Sequence, residues 1–346
     1  MALLTTILLA LHLLAMNVAS AGPLVCVWLH HRGSQGDDTA FRVGRRLARW
    51  TLGLLLVGVA VGVGQLAVAW IADDRAYFDA LGRFPLRALV HAAGEAGFSL
   101  ACLGLYAATW DRWRGRAWLH PLAALLAATN LLYHFPPLMI VLGQLTVRPE
   151  LSAELSITRN IFRPLALRPE ILSQVLHFGV ASIAMAGLGL MLIARHERSR
   201  AAASTAAANR LMSIGAWIAL VASLTQLAVG VWVLVSLPLI VRNGLTGDNW
   251  LASGLFLLAI VVFCGVLHSL AIVALGDVRD VTVRRSGLLV VCVVFLMVGV
   301  LQTSRTIERQ RRGNNSPSAT SQNRWGLAHF AESSEQNVPV PFSVAN

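Results

Sequence analysis

Eight long apolar segments dominate this sequence, and they constrain the fold more than any other feature. They cover residues 3–29, 51–71, 87–109, 119–145, 171–194, 211–240, 251–275 and 286–303. A helix needs about 20 apolar residues to cross the hydrocarbon core of a bilayer, and each segment is close to that length or above it. Tryptophans stand at several segment ends, where aromatic side chains meet lipid headgroups. The pattern predicts an all-α, polytopic transmembrane bundle of about eight helices.

The composition excludes the main classes of soluble protein. Charged residues make up only 13% of the chain and hydrophobic residues 56%, whereas soluble domains carry about 25% charged residues. The net charge of +11 comes from 28 basic residues, all of them arginine. Most lie in short loops between the apolar segments, where they orient helices. The expected partner is therefore the lipid bilayer and not nucleic acid.

Arginine counts predict how the bundle is oriented. Fifteen arginines follow the first, third, fifth and seventh segments, and eight lie in the intervening loops. The positive-inside rule then places both termini outside, on the periplasmic side of a bacterial inner membrane. Residues 1–21 end in Ala-Ser-Ala, as a cleaved signal peptide does, but apolar character continues to Leu29 and favours a retained first helix.

The chain divides into two parts by composition. Residues 1–304 contain all the apolar segments and are predicted to form the transmembrane bundle. Residues 305–346 are rich in Ser, Asn, Gln and Pro, and such a segment buries too little apolar surface to fold by itself. We therefore predict a disordered polar tail.

Histidines inside the apolar segments are the most informative chemical feature. His12, His91, His134 and His177 belong to four different segments, and helix alternation places all four in the same half of the membrane. Ionisable side chains are costly in a bilayer, and they usually face the bundle interior and have a function. Their shared level predicts one haem or metal site. Taken singly, each is equally well explained by a hydrogen bond between helices.

A b-type haem would use these side chains in a defined way. Its iron needs one or two neutral imidazoles offered by facing helices. The predicted iron ligands are His91, His134 and His177, with His12 next. A ligating imidazole also needs a partner for its second nitrogen, and a residue four positions away shares its helix face. The predicted partners are Glu95, Asn130 and Ser173.

The fourth segment carries two further signals. Pro136 and Pro137 remove backbone hydrogen bonds and predict a kink. His120 and His134 are fourteen residues apart, about 21 Å along one helix face. This spacing resembles the paired haem ligands of di-haem cytochromes b. No second segment carries the same pair, and His120 is better explained as an interfacial residue at a helix start.

The first segment resembles a group of known membrane proteins. Leu11-His12-Leu13-Leu14-Ala15 is similar to the histidine-bearing first helix of the copper-resistance D and protoporphyrinogen-oxidase-like proteins. The eight-helix plan resembles the membrane domain of bacterial urate oxidase. The resemblance implies a b-type haem in the bundle, an axial-ligand role for His12, and electron transfer with a quinone or a cytochrome c. The tryptophan-glycine step typical of these families is replaced here by Asn17-Val-Ala-Ser-Ala-Gly22.

Three functions remain open from the sequence. The first is a membrane b-type cytochrome that passes electrons between a quinone and an external carrier, alone or with other membrane redox subunits. The second is a transporter or permease in which Glu95 and the histidines line a polar path. The third is a structural membrane subunit of a redox complex. The sequence contains no recognisable nucleophile triad, phosphate loop or nucleotide motif.

Overall fold

A computed structural model of the protein describes residues 2–112, 119–200 and 204–315, which are mostly helical and contain no β-strand. The α-helices are α1 (Ala2–Ser34), α2 (Asp38–Ile71), α3 (Arg75–Gly82), α4 (Leu86–Ala108), α5 (Leu119–Tyr133), α6 (Phe135–Leu145), α7 (Arg159–Ala166), α8 (Pro169–Ser199), α9 (Thr205–Ser236), α10 (Leu239–Asn243), α11 (Trp250–Ala274) and α12 (Asp280–Asn315). A 3₁₀ turn covers Pro149–Leu151 and a π turn covers Gly244–Asp248.

Eight helical segments of the described chain are long and apolar enough to cross a membrane. Helices α5 and α6 together form one of them, His120–Leu145, and the other seven are single helices. Large apolar side chains such as Leu56, Val63 and Trp70 point outward, as lipid contact requires. The prediction of an all-α, polytopic integral membrane protein is confirmed. The periplasmic placement of its termini stays a prediction.

Neighbouring spans run antiparallel, as side-chain contacts between them show. His91 in the second turn of α4 faces His134, just beyond the end of α5. Near the end of α4, Tyr106 stacks on His120 at the start of α5. Because the number of spans is even, Ala2 and the end of α12 lie at one end of the bundle, which we call the terminal end. The connections after α1, α4, α8 and α11 lie at the opposite end.

Glycines allow the central helices to approach closely. A Cβ atom on Gly187 of α8 would lie only 2.6 Å from the carbonyl oxygen of Gly215 on α9. A Cβ atom on Gly44 of α2 would lie 2.8 Å from Leu29 on α1. Transmembrane helices pack through small residues of this kind. Helix α1 lies in the middle of the bundle and contacts α2, α5, α8 and α12.

Ion pairs join the helices at the opposite end of the bundle. Arg46 of α2 lies 2.9 Å from Glu197 of α8, whose side chain is buried. Arg195 and Arg198 of α8 both bind Asp280 at the start of α12, at 3.0 and 2.6 Å. Many of the arginines that predicted the orientation therefore also hold helices together.

Helix α12 continues beyond the predicted end of the bundle at residue 304. It reaches Asn315, so the first residues assigned to the polar tail are helical. They pack on the terminal end, where Glu308 lies 3.2 Å from Arg148 and Ile307 packs against Gly244. The rest of the predicted tail, residues 316–346, lies outside the described residues.

A cap of short elements covers part of the terminal end, and Arg83 holds it together. The guanidinium of Arg83 donates to the carbonyl oxygens of Pro149 at 2.8 Å and Ser152 at 2.7 Å, and also to that of Glu154. The carbonyl oxygen of Arg83 accepts from the backbone N–H of Ile157 at 2.7 Å. One residue after α3 therefore fixes most of the loop that precedes α7.

Replacing Arg83 with alanine should loosen this loop. Hydrogen bonds that involve a charged group contribute about 1.5–3 kcal/mol each, and the substitution removes all three that the guanidinium makes. We expect limited proteolysis of the detergent-solubilised protein to cut residues 146–158 at least about tenfold faster, since the loop opens locally. Arg87→Ala, at an exposed position of the next helix, is the matched control. Equal cleavage rates in the two variants would show that Arg83 does not hold the loop.

Candidate functional site

The kink predicted from the two prolines is present, and it lies at His134. Helix α5 ends at Tyr133, α6 begins at Phe135, and Pro136 and Pro137 occupy the first turn of α6. The prolines have no backbone N–H with which to continue the hydrogen bonds of α5. His134 lies at the break with its side chain exposed, facing α4.

His134 meets two ionisable residues of α4. The ring centroids of His91 and His134 are 6.3 Å apart, with the rings inclined at 61°. The Nε2 atom of His91 lies 3.3 Å from Oε1 of Glu95, one turn further along α4. One ligand atom from each of the three residues lies within 4.8 Å of the other two. We call this trio the His–Glu–His site, and its donors are those that bind divalent transition ions.

Asn130 supports the site from α5. Its side-chain N–H₂ donates to the backbone carbonyl oxygen of Glu95 and to Oγ of Ser99, both at 2.8 Å. Asn130 and Ser99 are buried. The sequence predicts Asn130 as a partner of the His134 ring, whereas these bonds join α5 to α4 directly below the His–Glu–His site. They fix the distance between the two helices that carry the ligands.

A groove of about 460 Å³ runs along α4 beside the site. It is lined by Val90, His91, Gly94, Glu95 and Phe98. The side chain of His91 is 68% exposed and that of Glu95 only 23%. Helix α4 packs mainly against α2 and α5, so it stands at the edge of the bundle. The groove is therefore open to the lipid.

The other two predicted ligands make contacts between different helices. Nδ1 of His12 on α1 lies 2.8 Å from the carbonyl oxygen of Gly58 on α2, a distance at which the ring N–H donates to that oxygen. Nε2 of His177 on α8 lies 3.1 Å from the side-chain nitrogen of Gln226 on α9. The structure thus brings together two of the four predicted histidines and places the other two at separate helix interfaces.

Ser173 lies one turn before His177 and is fully buried. Among the described residues, neither Oγ of Ser173 nor Nδ1 of His177 has a hydrogen-bond partner. Side chains in a helix lean towards its N-terminus, so the His177 ring leans towards Ser173. Buried polar atoms without a protein partner, one turn apart on a helix, are of the type that an internal water satisfies.

A second pair of histidines, not predicted from the sequence, lies at the opposite end of the bundle. The ring centroids of His30 and His120 are 4.5 Å apart, and Tyr106 and Trp110 pack around them. All four side chains are nearly fully buried. His30 lies just beyond the predicted end of the first segment, and no spacing rule connects it to His120 on another helix. The predicted interfacial position of His120 did not reveal this packing.

Comparison of this chain with known protein families and with curated proteins finds no match. The resemblance of the first segment to haem-binding membrane proteins therefore stays an expectation.

Proposed function

We propose that this integral membrane protein carries a transition-metal redox centre at the His–Glu–His site. The observation that carries the proposal is the convergence of His91, Glu95 and His134, with ligand atoms within 4.8 Å of one another. Ionisable groups inside a membrane are costly and mark functional sites. Two imidazoles and one carboxylate with open coordination positions are typical of non-haem iron, which would supply one-electron chemistry when bound.

The surroundings of the site favour a lipid-soluble reaction partner. The groove beside the ligands is lined mainly by apolar or small residues such as Val90, Gly94 and Phe98. An ion pathway would instead need a lining of carbonyl oxygens or charged side chains. The open face of the site therefore suits a hydrophobic electron carrier of the quinone class. This observation favours electron transfer over the transporter alternative.

A b-type haem held by His91 and His134 is the second candidate, and the ring separation favours it. With metal–nitrogen bonds of about 2 Å, imidazoles on opposite sides of one ion have centroids about 6 Å apart, close to the 6.3 Å found here. However, Oε1 of Glu95 lies 3.3 Å from Nε2 of His91, in the space that a porphyrin would occupy. Haem fits only if the Glu95 side chain rotates away from Nε2 of His91 and accepts a hydrogen bond from Nδ1 of that ring. A single ion needs smaller changes: donor atoms within 4.8 Å of one another must draw together by side-chain rotation to bond one ion at about 2 Å, and Glu95 then binds the ion instead of leaving the space, so we place it first.

Filling the groove should slow electron transfer without removing the metal. Gly94 is exposed in the groove, and a Cβ atom there would meet no other group within 4 Å. In iron-loaded Gly94→Trp protein, the indole would keep a quinone from the ligands. We expect a short-chain quinol to reduce the ferric centre at least about tenfold more slowly, since access and orientation control such rates.

This experiment has a matched control on another helix. Gly254 of α11 is also exposed with open space around it, so Gly254→Trp tests the effect of an added indole alone. The rates are read from the loss of the ferric signal in electron paramagnetic resonance; one quinol, oxidised to quinone with release of two protons, would reduce two ferric centres. Equal rates in Gly94→Trp and wild-type protein, at equal metal content, would contradict a role for the groove.

A further inference from the structure

The last turns of α12 bring an arginine into the terminal end of the bundle. Arg305 is partly buried, and the atoms around it desolvate its guanidinium. A Cβ atom on Gly143 of α6 would lie 2.9 Å from Nη2 of Arg305. The guanidinium therefore lies directly on the backbone of α6, and it has this space because residue 143 is glycine.

No carboxylate of the described residues pairs with Arg305. The charges that act on it are Asp74, which attracts it, and Arg309, which repels it. The carboxylate of Asp74 accepts from the backbone N–H of Tyr77 at 3.2 Å. Glu308, on the same stretch of α12, pairs with Arg148. The guanidinium beside Gly143 thus has hydrogen-bond donors that are not used by the protein groups described.

The position of Arg305 along α12 places it at the level of the lipid headgroups. Arg305 follows Arg285 by twenty residues on one continuous helix, which is about 30 Å at 1.5 Å per residue. The hydrocarbon core of a bilayer has about the same thickness. With Arg285 at one surface, Arg305 lies at the other, where the phosphates of phospholipids are found.

We propose that Arg305, assisted by Arg309, binds the phosphate group of a phospholipid beside Gly143 of α6. A partly desolvated cation without a counter-ion is unfavourable, and an anion from outside the protein offsets that cost. The planar fork of arginine donors matches two phosphate oxygens at once. Inorganic phosphate has the same chemistry, but the headgroup level of Arg305 favours the lipid. This site is separate from the redox centre and does not depend on it.

Native mass spectrometry of the protein in mild detergent tests the proposal. We expect wild-type protein to retain one phospholipid and Arg305→Gln to retain roughly tenfold less, because a hydrogen-bonded charge is lost. Arg75→Gln removes one charge at the same end from an exposed residue and should behave as wild type. Gly143→Ala keeps every charge but displaces the guanidinium, and it should lower lipid retention as well.

A second measurement separates the sources of phosphate and guards against misfolding. Thermal unfolding of delipidated protein is followed with added phospholipid or with millimolar inorganic phosphate. Stabilisation by lipid that is lost in Gly143→Ala and Arg305→Lys supports a lipid site, and stabilisation by inorganic phosphate alone assigns the same donors to a soluble phosphate. The proposal is overturned if neither ligand stabilises wild-type protein, or if Arg305→Gln retains phospholipid at the wild-type level.

Discussion

Replacing His134 with alanine should weaken metal binding to the purified protein by at least about a hundredfold. Loss of a group that merely orients a ligand costs 10–100-fold in affinity, and this substitution removes a ligand itself. His91 and Glu95 would remain, one turn apart on α4, and two donors from one helix leave most of the ion exposed. Titration with Co²⁺, followed by its visible absorption, measures both the affinity and the coordination geometry.

His177→Ala is the control for this prediction. Both histidines are predicted iron ligands from the sequence, but His177 lies beside Gln226 on α9 and not in the His–Glu–His site. We expect His177→Ala to bind Co²⁺ as wild type does. If both substitutions weakened binding equally, the four-histidine site predicted from the sequence would be favoured over the trio on α4 and the α5–α6 kink.

The second large effect is expected at the opposite end of the bundle, from Arg46→Ala. This substitution leaves Glu197 without its ion-pair partner while its side chain is only 5% exposed. Breaking a buried pair by removing one member costs about 3–5 kcal/mol. Because the arginine itself is partly exposed, we expect about 3 kcal/mol less free energy of unfolding, near the lower end of that range. Denaturant titration in mixed micelles measures it.

The neighbouring residue provides a control with the same chemistry. Arg45 pairs with Asp111 at 2.7 Å, but 41% and 54% of these side chains are exposed. Exposed pairs contribute about 0–1 kcal/mol, so Arg45→Ala should have little effect. If Arg45→Ala and Arg46→Ala lowered the free energy of unfolding by a similar amount, the burial of Glu197 would not explain the effect of Arg46→Ala.

The transmembrane fold was predictable because lipid imposes a simple requirement on sequence. Each span must be apolar over its whole length, so the length of the apolar segments directly gives the number of helices. The kink followed equally from local chemistry, since Pro136 and Pro137 lack backbone N–H groups. The end of α12 was not predictable in this way. Most residues after position 304 are polar, as in a disordered tail, and composition does not reveal the contacts of Ile307 with Gly244 and of Glu308 with Arg148.

The candidate site was predictable only in part. Helix alternation places four histidines in one half of the membrane, but which of them meet depends on which helices are neighbours. Periodicity does not report helix order, so the contacts of His12 with α2 and of His177 with α9 were not predicted. The contact between Glu95 and His91 was predicted, because residues four apart share one helix face. The pairing of His30 with His120 was not predicted either, because it also depends on which helices are neighbours.

The metal content and the absorption spectrum of wild-type protein, purified without chelators from cells supplied with iron and haem, show whether the His–Glu–His site holds a redox metal. We expect about one iron ion per chain, no Soret band, and loss of the iron in His134→Ala. A b-type Soret band that disappears in the same variant would move the assignment from a single ion to haem held by the same residues. Folded protein that contains neither transition metal nor haem would contradict a redox centre at His91, Glu95 and His134.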